Sequence, residues 1–485
     1  MMKTAKQYED SLRKLNLVVY MFGERISNPV DNPIIRPSMN AVAKTYELAH
    51  RPEHEDLMTA TSHLNGKKIN RFTHIHQNVT DLVKKTKMGR LLGAHTGCCF
   101  QRCVGMDALN ALSIVTHDID EAHATSYKAR FLEYLAYIQE KDLTCDGAMT
   151  DPKGDRSLAP HQQPDPDMFV HVVEETAGGI VVRGAKAHQT GAVNSHELIV
   201  MPTMAMRAAD KDYALSFALP SDAEGITYIM GRQSCDTRKI ETDPLDTGDT
   251  GNPVFGGHEA LVVLDDVFVP WERVFMYREH EFAGPLVEKF ASYHRQSYAC
   301  KSGVGDVLIG ATQTICEYNG IQKASHVKDK IIEMNHLNET LFCGSLSCAA
   351  EGHQEPSGTY CVDTLLANVS KQNVTRFPYE IARLAQDVAG GLMVTLPSAA
   401  DFKSGETAKW LEKYYKGNDG VPTENRRRIL RLIENITLGT AAVGYLTESM
   451  HGAGSPQAQR IMIARLVNME EKQKLARGLC GIEAE

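Results

Sequence analysis

Between Met106 and Leu143, apolar residues recur at three- and four-residue spacing with few breakers, which predicts helix. Residues 5–140 read as mainly helical in the same way. From about Cys145 the texture changes. T-D-P-K-G-D-R-S-L-A-P is rich in Pro, Gly and Asp and reads as loop. Short β-branched runs follow: G-I-V-V-R-G, H-E-L-I-V-M, Y-A-L-S-F-A and A-L-V-V-L-D-D-V-F-V-P. Turn residues separate them, as in an antiparallel barrel or sandwich. From about Glu281 helical periodicity returns. One candidate helix runs from Leu286 into the 310s; others cover Ala324–Glu351, Tyr360–Leu384 and Asn425–Glu448. The pattern predicts an α+β chain in three parts: helices over 1–144, an antiparallel β-domain over 145–280, and a helical bundle over 281–485.

Composition changes this picture little. Hydrophobic residues make up 42% of the 485 and charged residues 23%, an ordinary globular profile. The net charge of −9 argues against a nucleic-acid surface. The charged N-terminus lacks the apolar stretch of a signal peptide, and no run is long enough to span a bilayer, so a cytoplasmic protein with no membrane partner is expected. Eleven cysteines in such a chain do not suggest a disulfide framework. Cys145, Cys235, Cys316, Cys343, Cys348, Cys361 and Cys480 read as buried thiols acting as small hydrophobes. There is no Walker A motif and no strand–GxGxxG–helix unit, so a Rossmann site is not expected.

Two distant segments carry the candidate chemistry. G-C-C-F-Q-R-C holds Cys98, Cys99 and Cys103; Y-H-R-Q-S-Y-A-C-K holds His294, Tyr298 and Cys300. Residues four apart share a helix face, which pairs Cys99 with Cys103 and His294 with Tyr298. Facing helices would bring thiols, an imidazole and a phenol to one spot. That donor set suits zinc or an iron–sulfur cluster, and the plain competitor is two buried thiols on an apolar helix face.

Longer motifs extend the pattern. They include C-F-Q-R-C-V-G-M-D-A, T-D-P-K-G-D-R, V-V-R-G-A-K-A-H-Q-T-G, K-A-S-H-V-K-D-K, R-F-P-Y-E-I and T-E-S-M-H-G-A-G-S-P-Q-A-Q-R. Through them the whole chain resembles the 4-hydroxybutyryl-CoA dehydratases (vinylacetyl-CoA isomerases), FAD and 4Fe–4S enzymes of the acyl-CoA dehydrogenase fold. More distant relatives, the flavin-dependent 4-hydroxyphenylacetate monooxygenases, share that fold without the cluster and supply the alternative reading. The resemblance implies a cluster held by Cys99, Cys103, His294 and Cys300. It implies FAD near Arg156, Lys186, His188, Gln189 and Thr190, near Asn319 and Lys323, and against Gln386, Gly390 and Gly391 from a neighbouring subunit in a homotetramer. It implies an acyl-CoA thioester substrate, as in gamma-aminobutyrate or succinate fermentation. Catalysis is expected from His294, Tyr298, Glu259 and Glu448, the last with a pKa raised by burial. The resemblance also implies a flavin serving as a temporary electron sink and a cluster acting as a Lewis acid on the leaving hydroxyl.

One departure stands out. The family pattern has Gly-Gly between the tyrosine and the last cysteine, where this chain has only Ala299. His294 and Cys300 are therefore six apart rather than seven. Six α-helical residues turn about 600°, leaving the two roughly 120° apart, with Lys301 in the aligned place. Convergence requires a π-bulge or a break in the helix.

Overall fold

The computed structural model describes residues 2–238 and 248–482. Helix Ala5–Leu12 opens on a capping box in which Thr4 and Gln7 satisfy each other's backbone N–H groups. It packs on helix Arg36–Ala49. The two helices predicted as one run after Met106 are Cys103–His123 and Tyr127–Glu140. They separate at Ala124, which adopts φ 53° and ends the first helix.

The β region is two sheets. Six strands lie in the order Glu24–Ile26, Val19–Met21, Ile226–Met230, Glu259–Pro270, Gly179–Thr190 and His171–Thr176. Four lie in the order Val274–Tyr277, Leu215–Pro220, Glu197–Val200 and Cys145–Ala148. All four β-branched runs named above become strands. Two features depart from a purely antiparallel domain beginning at Cys145. Val19–Met21 pairs parallel with Ile226–Met230, so the N-terminal segment completes the larger sheet. Cys145–Ala148 pairs parallel with Glu197–Val200. Strands this short show too few alternations to stand out from the helical background.

The helix expected from Leu286 is two, Ala283–Ser297 and Cys300–Tyr318. Ser325–Ala350 is continuous. The run from Tyr360 splits into Thr364–Val374 and Phe377–Ala389, the second starting beside Pro378 where a proline is tolerated. The last predicted helix stops at Thr437, and Glu448 is reached through a π-helical turn over Val443–Thr447.

One apolar core joins the sheets to the N-terminal helices, and a second fills the C-terminal bundle. Between them a small cluster gathers Met88, Leu92, Phe100, Cys103, Met106 and Cys300. Helix Val79–Thr96 meets Cys300–Tyr318 at near backbone contact. A Cβ on Gly93 would lie 2.3 Å from the Cys300 carbonyl oxygen, and one on Gly303 2.0 Å from that of Arg90. This close crossing fixes the depth of Cys300. Of the thiols expected to be buried, Cys343 and Cys480 are exposed. Cys343 lies on the side of its helix opposite the face that buries Leu341, Ser345 and Cys348.

Candidate active site

Cys99 is not on a helix. Helix Val79–Thr96 ends at Gly97 in the left-handed conformation, and the next begins at Cys103. The intervening loop is pinned from three sides. Gln101, at φ 62°, donates to the Gly256 carbonyl at 3.0 Å and accepts from Asn194 at 2.8 Å. The buried Arg102 guanidinium stacks 4.4 Å from both the Tyr46 and Phe72 rings and donates to Thr45. Cys99 thus meets Cys103 through loop closure, and the shared-face argument is replaced.

The break between the two central helices answers the missing residue at Ala299. Across it the backbone bonds run Ala299 N–H to Gln296, Lys301 N–H to Tyr298 and Ser302 N–H to Ala299, all three residues apart. Such 3₁₀ spacing advances about 120° per residue instead of 100°. The six-residue interval therefore winds further than on a straight α-helix and turns Cys300 back toward the His294 side. Cys99, Cys103 and Cys300 are all buried deeply enough to raise their thiol pKa values, and each thiol senses a neighbouring one or the Lys301–Glu448 pair.

His294 lies between the Phe290 ring, stacked at 5.4 Å, and the edge of Tyr298, also at 5.4 Å. Its Nδ1 is 2.8 Å from Asp107 Oδ2, a contact that places a proton on Nδ1 and turns Nε2 away from the carboxylate. Tyr298 donates its hydroxyl to the Glu448 carbonyl oxygen at 3.1 Å. Burial pushes the phenol's pKa well up. Lys371, fully buried, lies 4.5 Å from the Tyr298 ring centre and donates to the Ser449 carbonyl.

The carboxylates form a pair. Lys301 Nζ is 3.0 Å from Glu448 Oε2 and 2.5 Å from the Gly444 carbonyl oxygen. Glu259 hydrogen-bonds Glu448 and accepts from the Thr190 hydroxyl at 2.5 Å. The expectation of a raised pKa at Glu448 is reversed. Burial pushes it up, but the Lys301 ammonium and the hydrogen bond from Glu259 outweigh burial and hold it below the ordinary carboxyl value. Glu259 is the raised member, pushed well up by burial and by the Glu448 charge. Within the pair, Glu259 is the member that favours the neutral form and Glu448 the member that favours the charged form. The same charge, with the nearby thiols, holds the Lys301 ammonium protonated against its burial.

The predicted flavin residues fall in two groups, and no hydrogen bond joins them among the described residues. On the long strand, Lys186 Nζ is turned inward onto Asp151 and the Met149 and Met201 carbonyls. Gln189 donates to the Thr150 and Ala187 carbonyls, and Thr190 serves Glu259. His188 is exposed, with φ 58°. Arg156 is exposed in the preceding loop. In the helical part, Asn319 accepts from Arg426 at 2.8 Å, Lys323 is exposed, and Gln386 reaches the Thr437 carbonyl at 3.5 Å. Gly390 and Gly391 are exposed, with nothing within 4 Å of an added Cβ.

Asp107, Lys85 and Lys371 have no place in the sequence reading, where Lys301 stands only as the residue aligned with His294. Asp107 stands four residues after Cys103 on one helix, a spacing that marks it as sharing that cysteine's face. Lys85 and Lys371 carry no comparable signal, because only tertiary packing buries them. Elsewhere, donor atoms of His353, Glu355 and Cys361 lie within 4.8 Å of one another on a hairpin. There the Lys289 ammonium already neutralises Glu355. Among the described residues, the donors around His294 do not form such a close set.

The chain matches two family models in succession. These are the N-terminal region of 4-hydroxyphenylacetate 3-hydroxylase, over residues 4–276, and its C-terminal region, over 283–481. It is 62% identical to the 4-hydroxybutyryl-CoA dehydratase/vinylacetyl-CoA-Delta-isomerase of Clostridium aminobutyricum, covering 100% of both chains. A solved oxygen-tolerant archaeal 4-hydroxybutyryl-CoA dehydratase from N. maritimus superimposes with a TM-score of 0.98 at 56% identity, over 100% of this chain and 96% of that one. The oxygenase component of 4-hydroxyphenylacetate 3-monooxygenase, solved with FAD, superimposes at 0.85 with 23% identity over 98% of each, which shows the shared fold. The architecture is of the acyl-CoA dehydrogenase type. Loop-borne Cys99, the broken helix at Ala299 and the Glu259–Glu448–Lys301 group thus sit in a chain that belongs to the 4-hydroxyphenylacetate 3-hydroxylase family and, within it, to the 4-hydroxybutyryl-CoA dehydratase/vinylacetyl-CoA isomerases.

Proposed function

We propose that this chain dehydrates 4-hydroxybutyryl-CoA to crotonyl-CoA and isomerises vinylacetyl-CoA to the same product, using FAD and a 4Fe–4S cluster. The observation that carries the reading is the meeting of the Cys99, Cys103 and Cys300 thiols, the His294 imidazole and the Glu259–Glu448 carboxyl pair with Lys301.

The donor set fits the cluster. Buried thiols resist ionisation when alone, whereas iron takes up thiolate charge directly. Cys99, Cys103, Cys300 and His294 Nε2 would hold it, inside a lining of Met88, Leu92, Phe100 and Met106 that excludes water. The flavin residues fit less directly. Gly391 has ordinary right-handed backbone and no intrachain neighbour, so nothing within the chain demands glycine there. Close approach by a cofactor seated on another subunit supplies a reason, and with it the homotetramer. When bound, the flavin supplies a reversible one-electron sink and the cluster a Lewis acid for the leaving oxygen.

The chain's own groups move the protons. The thioester acidifies the α-proton. Glu448 is ionised and faces the site as a base, and Glu259 holds the proton that the pair can return. Isomerisation needs only this removal and return. Dehydration also takes the β-proton, which His294 Nε2 would accept when free of the cluster; the neutral Tyr298 phenol is placed to protonate the departing hydroxyl, and the Glu259–Glu448 pair returns a proton to the γ-carbon. Lys301 keeps Glu448 charged between turnovers.

The test is iron, sulfide and flavin per subunit on protein purified without oxygen, with crotonyl-CoA formation from 4-hydroxybutyryl-CoA. About four iron, one FAD and turnover are expected for this cluster type. FAD without iron, together with oxygen consumption on 4-hydroxyphenylacetate, would show a monooxygenase instead.

A further inference from the structure

Beside His294 lies a buried ion pair that the proposed chemistry does not itself use. Asp107 has no exposed surface and Lys85 is 2% exposed. Lys85 Nζ is 2.7 Å from Asp107 Oδ1 and donates to the Tyr293 carbonyl at 2.8 Å. Asp107 Oδ2 takes the His294 Nδ1 contact and a hydrogen bond from the Ser297 hydroxyl, both at 2.8 Å. The four residues come from three helices: Lys85 from Val79–Thr96, Asp107 from Cys103–His123, and His294 with Ser297 from Ala283–Ser297.

Stability alone is a poor reason for such a pair, since well-packed apolar residues usually replace buried ion pairs without loss. What apolar residues cannot supply is a fixed anion facing an imidazole. An acceptor on one ring nitrogen sets the tautomer, the ring plane and the basicity of the other nitrogen. Asp107 also stands one turn after Cys103, so the helix that carries that thiol carries the group that aims the histidine.

We infer that Asp107, held by Lys85 and Ser297, is a positioning residue that locks His294 with Nε2 directed into the space between the three thiols. This rests on the cluster reading above. Lys85 supplies the charge balance that lets Asp107 stay ionised in a dry site, and Ser297 occupies the second lone pair of the same oxygen.

The test uses anaerobically purified holoenzyme: parent, Asp107→Asn, Lys85→Met and the double variant. Readouts are iron content, melting temperature, kcat and KM for 4-hydroxybutyryl-CoA, and the histidine ¹⁵N coupling to the reduced cluster in pulsed EPR. In the double variant, which leaves no unpaired buried charge, the expected result is near-parental melting. Its kcat falls about 10- to 100-fold, the usual effect of losing such a partner, its KM stays within about twofold, and the nitrogen coupling is changed or lost. A double variant with parental kcat and coupling overturns the inference, because Asp107 would then only neutralise Lys85. Parent protein without iron fails the cluster reading itself, an outcome visible before any variant is compared.

Discussion

Replacing Lys301 with Met tests the electrostatics of the site most directly. The ammonium lies 3.0 Å from Glu448, and at an effective dielectric of 20 their attraction is about 5 kcal/mol. Without it, Glu448 is a buried carboxyl beside Glu259, and removing one partner of such a pair costs about 3–5 kcal/mol. The sign of the pH dependence is the sharper prediction. In the parent, Glu448 titrates below its ordinary value of 4.5, so its contribution is fully present at neutral pH and is lost only as pH falls through that depressed value. In Lys301→Met the folded carboxyl is raised, so the stability it retains at low pH is lost as pH rises toward its new value. The deficit relative to parent should grow by about 1.4 kcal/mol per pH unit above 4.5 until Glu448 ionises in the folded state. Urea midpoints of parent and variant from pH 5 to 8 measure this. An additional carboxylic-acid carbonyl stretch in the infrared spectrum of Lys301→Met, beyond that of Glu259 and lost when Glu448→Gln is added, assigns it. A deficit that is flat across that range would refute the reasoning, as would an unchanged midpoint at pH 8.

Three further outcomes follow from the packing. Gly93→Ala drives a Cβ to 2.3 Å from the Cys300 carbonyl and 3.1 Å from the Val304 nitrogen; backbone cannot yield like a side chain, so we expect about 1–3 kcal/mol of destabilisation and reduced iron content, read by melting and metal analysis. Gly452→Ala places a Cβ 1.7 Å from the Tyr298 hydroxyl; the phenol must leave the Glu448 carbonyl, and kcat should fall at least tenfold with iron retained, which parental kcat would contradict. His196 is buried with its pKa held down to about 3 by burial, against an ordinary 6.5, while Nδ1 accepts from the Thr144 backbone and Nε2 meets Ser11. The unfolded chain binds that proton first, so stability should fall by about 1.4 kcal/mol per unit as pH drops from 6.5 toward 3, and His196→Gln should flatten the slope in urea titrations.

Local patterning was enough to show helices, then strands, then helices, because apolar periods of 3.6 and 2 follow from which faces are buried. Motif match likewise named Cys99, Cys103, His294 and Cys300 before any geometry, since their donor chemistry is visible in the residue types. What pattern could not supply was where helices end and what packs across them. Cys99 reaches the site on a loop closed by Gln101 and Arg102, whose partners lie up to 155 residues away. The interval from His294 to Cys300 is misaligned on an ideal helix, and three short-span hydrogen bonds at the helix break wind it further round. Glu448 reads as a lone carboxyl in an apolar stretch, yet the tertiary fold gives it Lys301 and Glu259 and so reverses its titration. Asp107 and Lys85 are an aspartate and a lysine on separate helices until the fold sets them 2.7 Å apart behind His294. The sequence by itself determined the elements and the donor types, which depend on each residue's own chemistry and near neighbours. Protonation states, ring orientation and the meeting of the donors depend on distance and dielectric, which only the tertiary structure decided.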